Sequence, residues 1–180
     1  MKIALISDTH DNLAAVAQMI EEVKRRNIKV VISCGDLISP FILKEMIEGW
    51  RDAKIHLYFV FGNNDGERAV LTLMAKESNG LVRCLGTQGE LELVEKKIWL
   101  THDSAVAELV ARSGQFDFCF GGHDHQQRSV IYENGNGSKT VFVNPGNLTV
   151  KKPGKFYKSV DHCWCVVNLA NGEVERVEVK

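Results

Sequence analysis

The sequence lacks an excess of basic charge: 22 Lys and Arg stand against 23 Asp and Glu, for a formal net charge of -1. No stable binding to nucleic acid and no attraction to an anionic membrane is therefore expected, and any pull on phosphate has to be local. No uninterrupted apolar stretch approaches the ~20 residues of a membrane span. At the N-terminus only the short run Ile3 to Ile6 separates Lys2 from Ser7, too little for a signal-peptide core, so a cytoplasmic protein is expected. Proline is scarce, with three in the chain, and 44% hydrophobic and 25% charged residues exclude the disordered and fibrous classes. The five cysteines (Cys34, Cys84, Cys119, Cys163, Cys165) are odd in number and contain no C-x-x-C pair. That excludes a disulfide framework or a thiolate zinc site and leaves reduced, buried thiols. Cys163 and Cys165 fall on one face of a predicted strand and read as structural core.

What is present is a βα alternation. Ile3 to Ser7, Val30 to Cys34 and Leu57 to Phe61 read as strands, followed by helices over Leu13 to Arg26, Phe41 to Trp50 and Glu67 to Ser78. Such alternation implies a parallel sheet. The second half predicts a hairpin of Leu91 to Val94 and Ile98 to Thr101 around Glu95-Lys96-Lys97, then a helix over Ala105 to Arg112. Phe116 to Phe120 follows, then Ser129 to Glu133 and Thr140 to Val143 around the turn Asn134-Gly135-Asn136-Gly137. A last hairpin joins His162 to Leu169 with Val174 to Val179 through Asn171-Gly172. This pattern predicts two sheets with flanking helices, and the length of 180 residues predicts one domain over residues 1–180.

Polar residues of metal-ligand type gather where the apolar runs stop. Asp8 and His10 follow the first run, Asp36 the second and Asn63 the third; His102 follows Thr101, and His123 and His125 lie in Gly-Gly-His-Asp-His. In open α/β sheets ligands bind beyond the carboxyl ends of strands, so such clusters are delivered to one edge. Imidazole nitrogen with carboxylate and amide oxygen suits a borderline or hard divalent ion, and the absence of cysteine argues against a closed zinc site. Singly, each piece has a plain reading: His10 or His102 as a surface histidine, Gly35-Asp36 as a turn. Their co-occurrence carries the signal.

The ordered set Asp8-x-His10, Gly35-Asp36, Gly62-Asn63-Asn64-Asp65, His102 and Gly122-His123-Asp124-His125 resembles the calcineurin-like metallophosphoesterase superfamily. The opening Ile-Ser-Asp-Thr-His-Asp-Asn is similar to its small, single-domain bacterial and archaeal phosphodiesterase branch. The resemblance implies a four-layer α-β-β-α sandwich of two mixed sheets. It also implies two divalent ions, manganese first among iron, zinc, nickel and magnesium. One ion would sit on Asp8, His10, Asp36 and His125, the other on Asp36, Asn63, His102 and His123, with Asp36 bridging. A hydroxide between the ions would attack a small phosphodiester. Two such ions against Asp8, Asp36 and a hydroxide leave about one positive charge, which attracts the substrate anion.

The pattern is not complete. Many relatives have His after the ligand Asn, where this chain has Asn64, which donates hydrogen bonds but cannot transfer a proton as imidazolium does. Asn64 is thus a catalytic and substrate-binding candidate that favours acidic leaving groups. Asn12 is a second substrate-binding candidate, or the N-cap of the helix that follows. Asp103 and Asp124 either orient a ligand imidazole or cap and face solvent, the plainer reading. Ser39 before Pro40 reads as an N-cap, and Asn144-Pro145-Gly146-Asn147 as a turn. His56 and His162 read as packing or surface residues, and the basic stretch Lys151 to Lys158 as a solvated loop. The same fold serves as a non-catalytic scaffold in the eukaryotic retromer coat, so a scaffold is the alternative to an enzyme. Oligomeric state is not legible, and a homo-oligomer stays open.

Overall fold

The computed structural model describes residues 1–135, 137–149 and 162–179; the basic stretch Lys151 to Lys158 and Asn136 of the predicted turn lie outside the described residues. Among the described residues eleven strands and four helices follow one another: β1 Lys2–Ile6, α1 Leu13–Arg25, β2 Val30–Ser33, α2 Pro40–Trp50, β3 His56–Phe59, α3 Arg68–Glu77, β4 Val82–Cys84, β5 Gln88–Leu93, β6 Lys96–Asp103, α4 Ser104–Ala111, β7 Phe118–Gly122, β8 Arg128–Glu133, β9 Lys139–Asn144, β10 Cys163–Asn168 and β11 Val174–Glu178. A six-stranded sheet runs β11-β10-β1-β2-β3-β4 and a five-stranded one β5-β6-β7-β9-β8. Strands β1 to β4 are parallel, as are β6, β7 and β9; β10, β11, β5 and β8 pair antiparallel, so both sheets are mixed.

Alternation along the strands sorts the core into three layers. Ile3 and Leu5 of β1 join Ile32, Val60, Ile98, Leu100, Phe118, Phe120, Val141, Val143, Cys165 and Val167 between the sheets. Ala4 and Ile6 turn the other way, onto Val16, Met19, Leu43, Met46 and Trp50 of α1 and α2. Trp99, Cys119 and Phe142 form the outer face of the second sheet, under Ala107 and Ala111 of α4. This is the expected α-β-β-α sandwich. Because central strands are buried on both faces, they read as continuous apolar runs rather than as alternating ones.

Several local expectations shift. The β5–β6 turn is Val94-Glu95, both left-handed at φ 47° and 63°, with Leu93 opposite Lys96, so Lys96 and Lys97 belong to the strand. Three-residue β4 has no counterpart in the sequence reading. Ser39 stands at the start of α2 with Pro40 after it, but its hydroxyl makes no cap bond; it donates instead to Asp11 Oδ1 at 2.6 Å, tying the starts of α1 and α2 together. Cys163 and Cys165 lie on β10, buried, and none of the five cysteines forms a disulfide. His56 is exposed, with its ring beside the Gly80 carbonyl. Among the described residues no helix is long and apolar enough to cross a membrane.

Candidate metal centre

Neighbouring parallel strands end together, so the loops leaving β1, β2, β3, β6 and β7 meet at one edge. The first two are laced: Asp8 N–H donates to Gly35 O (3.0 Å), His10 N–H to Asp36 O (3.2 Å), and Thr9 Oγ1 to Leu37 O (3.2 Å). Two glycines let further loops come close. A Cβ on Gly62 would lie 2.2 Å from Asp36 Oδ1, and one on Gly122 would lie 1.9 Å from Ser7 Oγ and 2.8 Å from Asp8 Oδ2. Both positions therefore need a residue without a side chain.

The ligand-type side chains converge. Asp8 Oδ2 accepts from Ser7 Oγ (2.5 Å) and from the His123 backbone N–H (3.0 Å), while Oδ1 faces His125 Nε2 at 3.1 Å, His10 Nε2 at 3.5 Å and His102 Nε2 at 4.0 Å. Asp36 Oδ2 lies 3.5 Å from His10 Nε2 and 3.5 Å from His102 Nε2. Asn63 Oδ1 is 3.0 Å and His123 Nδ1 3.2 Å from His102 Nε2. All seven sequence-predicted ligand residues are thus brought together. Asp8, His10 and His125 offer atoms within 4.8 Å of one another, and so do Asp8, Asp36 and His102. Asp8 is the carboxylate common to those two groups, whereas Asp36 Oδ2 stands midway between His10 and His102.

The electrostatics fit a cation. His102 Nδ1 is 2.8 Å from the Cys34 carbonyl, which can only accept, so the proton of a neutral ring sits on Nδ1 and its Nε2 lone pair faces carboxylate and amide oxygens. Acceptors converging on acceptors need positive charge between them. The proton affinities show the same demand. Burial would lower the His102 pKa, but Asp36 and Asp8 outweigh it and lift it to about 9. His10 is raised in the same way by Asp8 and Asp36 against burial. Burial would raise Asp8, yet the neighbouring imidazoles of His10, His125 and His102 hold it far below the usual carboxylate range; Asp36 is lowered by His102 and Asn64 against its own burial. His10 Nε2 is buried without a hydrogen-bond partner, aimed between the two carboxylates. A site that raises the proton affinity of imidazoles beside ionised carboxylates can take divalent ions in place of those protons.

The other candidates are engaged as follows. Asn64 donates to Asp36 twice, from its backbone N–H to Oδ1 (2.8 Å) and from Nδ2 to Oδ2 (2.7 Å), leaving one amide N–H. Asn12 caps α1 through Ala15 N–H (3.2 Å) and donates from Nδ2 to Leu148 O (2.8 Å), again with one N–H left. Asp103 caps α4 and is exposed, as the plainer reading has it. Asp124 is half-buried and accepts from the Gln126 N–H two residues on, and the rest of its carboxylate is taken up by Ser104, Arg128 and Asn144 rather than by a ligand imidazole. Asn147 Nδ2 donates to His125 O at 3.2 Å.

Sequence reasoning missed the loop anchors. Buried Asp65 accepts from Asp36 N–H (2.9 Å), Gly62 N–H (2.7 Å) and Ile38 N–H (2.8 Å), fixing the loop of Asp36 from the loop of Asn63. Its place in Gly-Asn-Asn-Asp was the available signal. Arg68 closes the same loop, donating to Gly62 O at 2.6 Å and Asp65 O at 3.1 Å and lying over Phe61; its sequence position carries no mark.

Comparison with known proteins agrees with this geometry. The family model described as the calcineurin-like phosphoesterase superfamily domain matches residues 1–165. The phosphodiesterase MJ0936 of Methanocaldococcus jannaschii is 32% identical over 148 residues, 81% of this chain and 83% of that protein. The solved structure of an archaeal phosphodiesterase superposes with a TM-score of 0.77 at 27% identity, covering 98% of this chain and 99% of its own. The phosphoesterase Yfce of E. coli, at 18% identity and a TM-score of 0.56 over the full length of both chains, shares the fold.

Proposed function

Because the chain belongs to the calcineurin-like phosphoesterase superfamily, we propose that it is a phosphodiesterase whose Asp8, His10, Asp36, Asn63, His102, His123 and His125 hold two divalent ions. The observation that carries the reading is the pair of buried carboxylates, Asp8 and Asp36, set between imidazoles on both sides. When bound, divalent ions would supply Lewis-acid polarisation of a phosphoryl group and a water of lowered pKa. Manganese is the ion we assign, a small phosphodiester the substrate class, and residues 1–180 one domain in the cytoplasm.

The protein's own side chains do the positioning. Asp36 Oδ2, equidistant from His10 and His102 at 3.5 Å, is suited to serve both ions. Asn64 holds Asp36 with two bonds and keeps one amide N–H for a phosphoryl oxygen; Asn12 keeps one as well. An amide supplies no transferable proton near neutral pH, so Asn64 orients the substrate without protonating the departing oxygen. Diesters with acidic leaving groups should turn over faster than alkyl monoesters.

The test is hydrolysis of aryl phosphodiesters, monoesters and cyclic nucleotides with added manganese, beside Asp36→Asn. Ion-dependent diester hydrolysis is expected, lost by at least about a hundredfold with weakened binding of both ions in the variant. Near-normal turnover with both ions retained in Asp36→Asn would refute the bridging role, and fast alkyl monoester hydrolysis would refute the role of Asn64.

A further inference from the structure

The turn that carries His123 and His125 is held by residues to which the reading above gives no part. Both histidines are left-handed, at φ 74° and 62°, a conformation that side-chain-bearing residues keep only when surroundings enforce it. The residue between them supplies the enforcement. Asp124 Oδ2 accepts from Ser104 Oγ (2.9 Å) and Arg128 Nη1 (2.6 Å), and Oδ1 accepts from Asn144 Nδ2 (2.7 Å) and Gln126 N–H (3.0 Å). Three of these donors come from separate elements: α4, β8 and β9. Arg128 is itself fixed, donating from Nη2 to Ser104 Oγ at 3.3 Å and lying over the Phe142 ring at 5.4 Å. Asn144 Nδ2 also reaches Gly122 O at 3.3 Å, just before the turn.

The two rings leave the turn in different directions. His123 Nδ1 meets His102 Nε2 at 3.2 Å, whereas His125 Nε2 meets Asp8 Oδ1 at 3.1 Å. We infer that Asp124 and Arg128 are positioning residues that clamp this turn from outside, so that both ions depend on one carboxylate–guanidinium pair touching neither. The inference rests on the two-ion reading. It differs from what Asn63 predicts, since Asn63 lies beside His102 and its loss should weaken one ion alone.

The experiment is calorimetric titration of Mn2+ into the ion-free full chain for the parent, Arg128→Met, Asp124→Ala and Arg128→Lys, with the melting temperature of each ion-free protein. In Arg128→Met and Asp124→Ala both binding steps should weaken together by about 10- to 100-fold, the size typical of losing a partner that orients ligands. Melting of the ion-free protein should stay near the parent's, and excess Mn2+ should restore turnover. Arg128→Lys, which keeps the charge but not the fork, should recover part of the affinity. Parent-like affinities, weakening of one step only, or a loss that tracks unfolding of the ion-free chain would each overturn the inference while Asp36→Asn still tests the site. A parent that binds no divalent ion would overturn both readings.

Discussion

The space between the sheets and the edge where the strands end are built from the same strands by opposite rules. Between the sheets, Leu5, Ile32, Leu100, Phe118, Phe120 and Val143 alternate in regular strands and bury apolar surface. A few residues further along, seven of the thirteen non-glycine residues with positive φ among the described residues gather at the site: Asp8, His10, Asp11, Asp36, Ile38, His123 and His125. Ile38, at φ 78°, is a β-branched residue in a region such residues avoid, and Asp65 holds it there through its N–H. The interior supplies the free energy of folding, and the edge uses part of it to keep strained loops and like-charged carboxylates together. Stability and chemistry should therefore respond to different substitutions.

Two variants test that separation. Phe118, 3% exposed, packs between the sheets near the start of β7, and Phe118→Ala should cost about 3–5 kcal/mol in urea denaturation. The folded protein should bind Mn2+ as the parent does; a small stability loss with weakened ion binding would erase the distinction. Gly62→Ala is the reverse case. Its Cβ would press on Asp36 Oδ1 and on Asp36 N, 2.7 Å away, so the ligand or the loop must move. Overpacking should cost about 1–3 kcal/mol, while a displaced Asp36 should lower turnover on the order of a hundredfold. Retained activity would mean the close approach of these loops is not needed.

The same contrast governs what the sequence disclosed. Central strands buried on both faces leave unbroken apolar runs, so β1, β2, β3 and β7 were legible, and with them the edge to which Asp8, Asp36, Asn63, His102, His123 and His125 are delivered. Val82–Cys84 was not, since three residues with Arg83 in the middle carry no period; only pairing with β3 makes them a strand. Ligands announce themselves by residue type. Anchors such as Asp65 and Ser104 do not, because their roles lie in partners far away in the chain: Asp65 holds Asp36 across 29 positions, and Ser104 reaches Asp124 across 20. Asp124 stands out in the sequence by its place between His123 and His125, yet its four partners are assembled only in three dimensions.

At the far end of the second sheet a charged pair offers the mildest test of whether stability and chemistry separate. Lys96 Nζ donates to Asp117 Oδ1 at 2.9 Å and Lys97 N–H to Oδ2 at 2.9 Å, where β6 begins and β7 is about to. Burial would raise the Asp117 pKa, but Lys96 and the Lys97 N–H outweigh it and lower it. A carboxyl held below its unfolded value of about 3.9 stabilises the fold above that pH, and its contribution disappears as pH falls through the folded value. Both side chains are more than a third or about a third exposed, at 38% and 34%, so water and salt screen the pair. Asp117→Asn should cost about 0.2–1 kcal/mol at pH 7, less in high salt, and the difference from the parent should close in acid below the unfolded value. Ion binding and turnover at the other end of β6 and β7 should be unchanged, because nothing in the pair reaches His102 or His123. A change in Mn2+ affinity in Asp117→Asn would show that the two ends of these strands are coupled and that the division between interior and edge is too sharp.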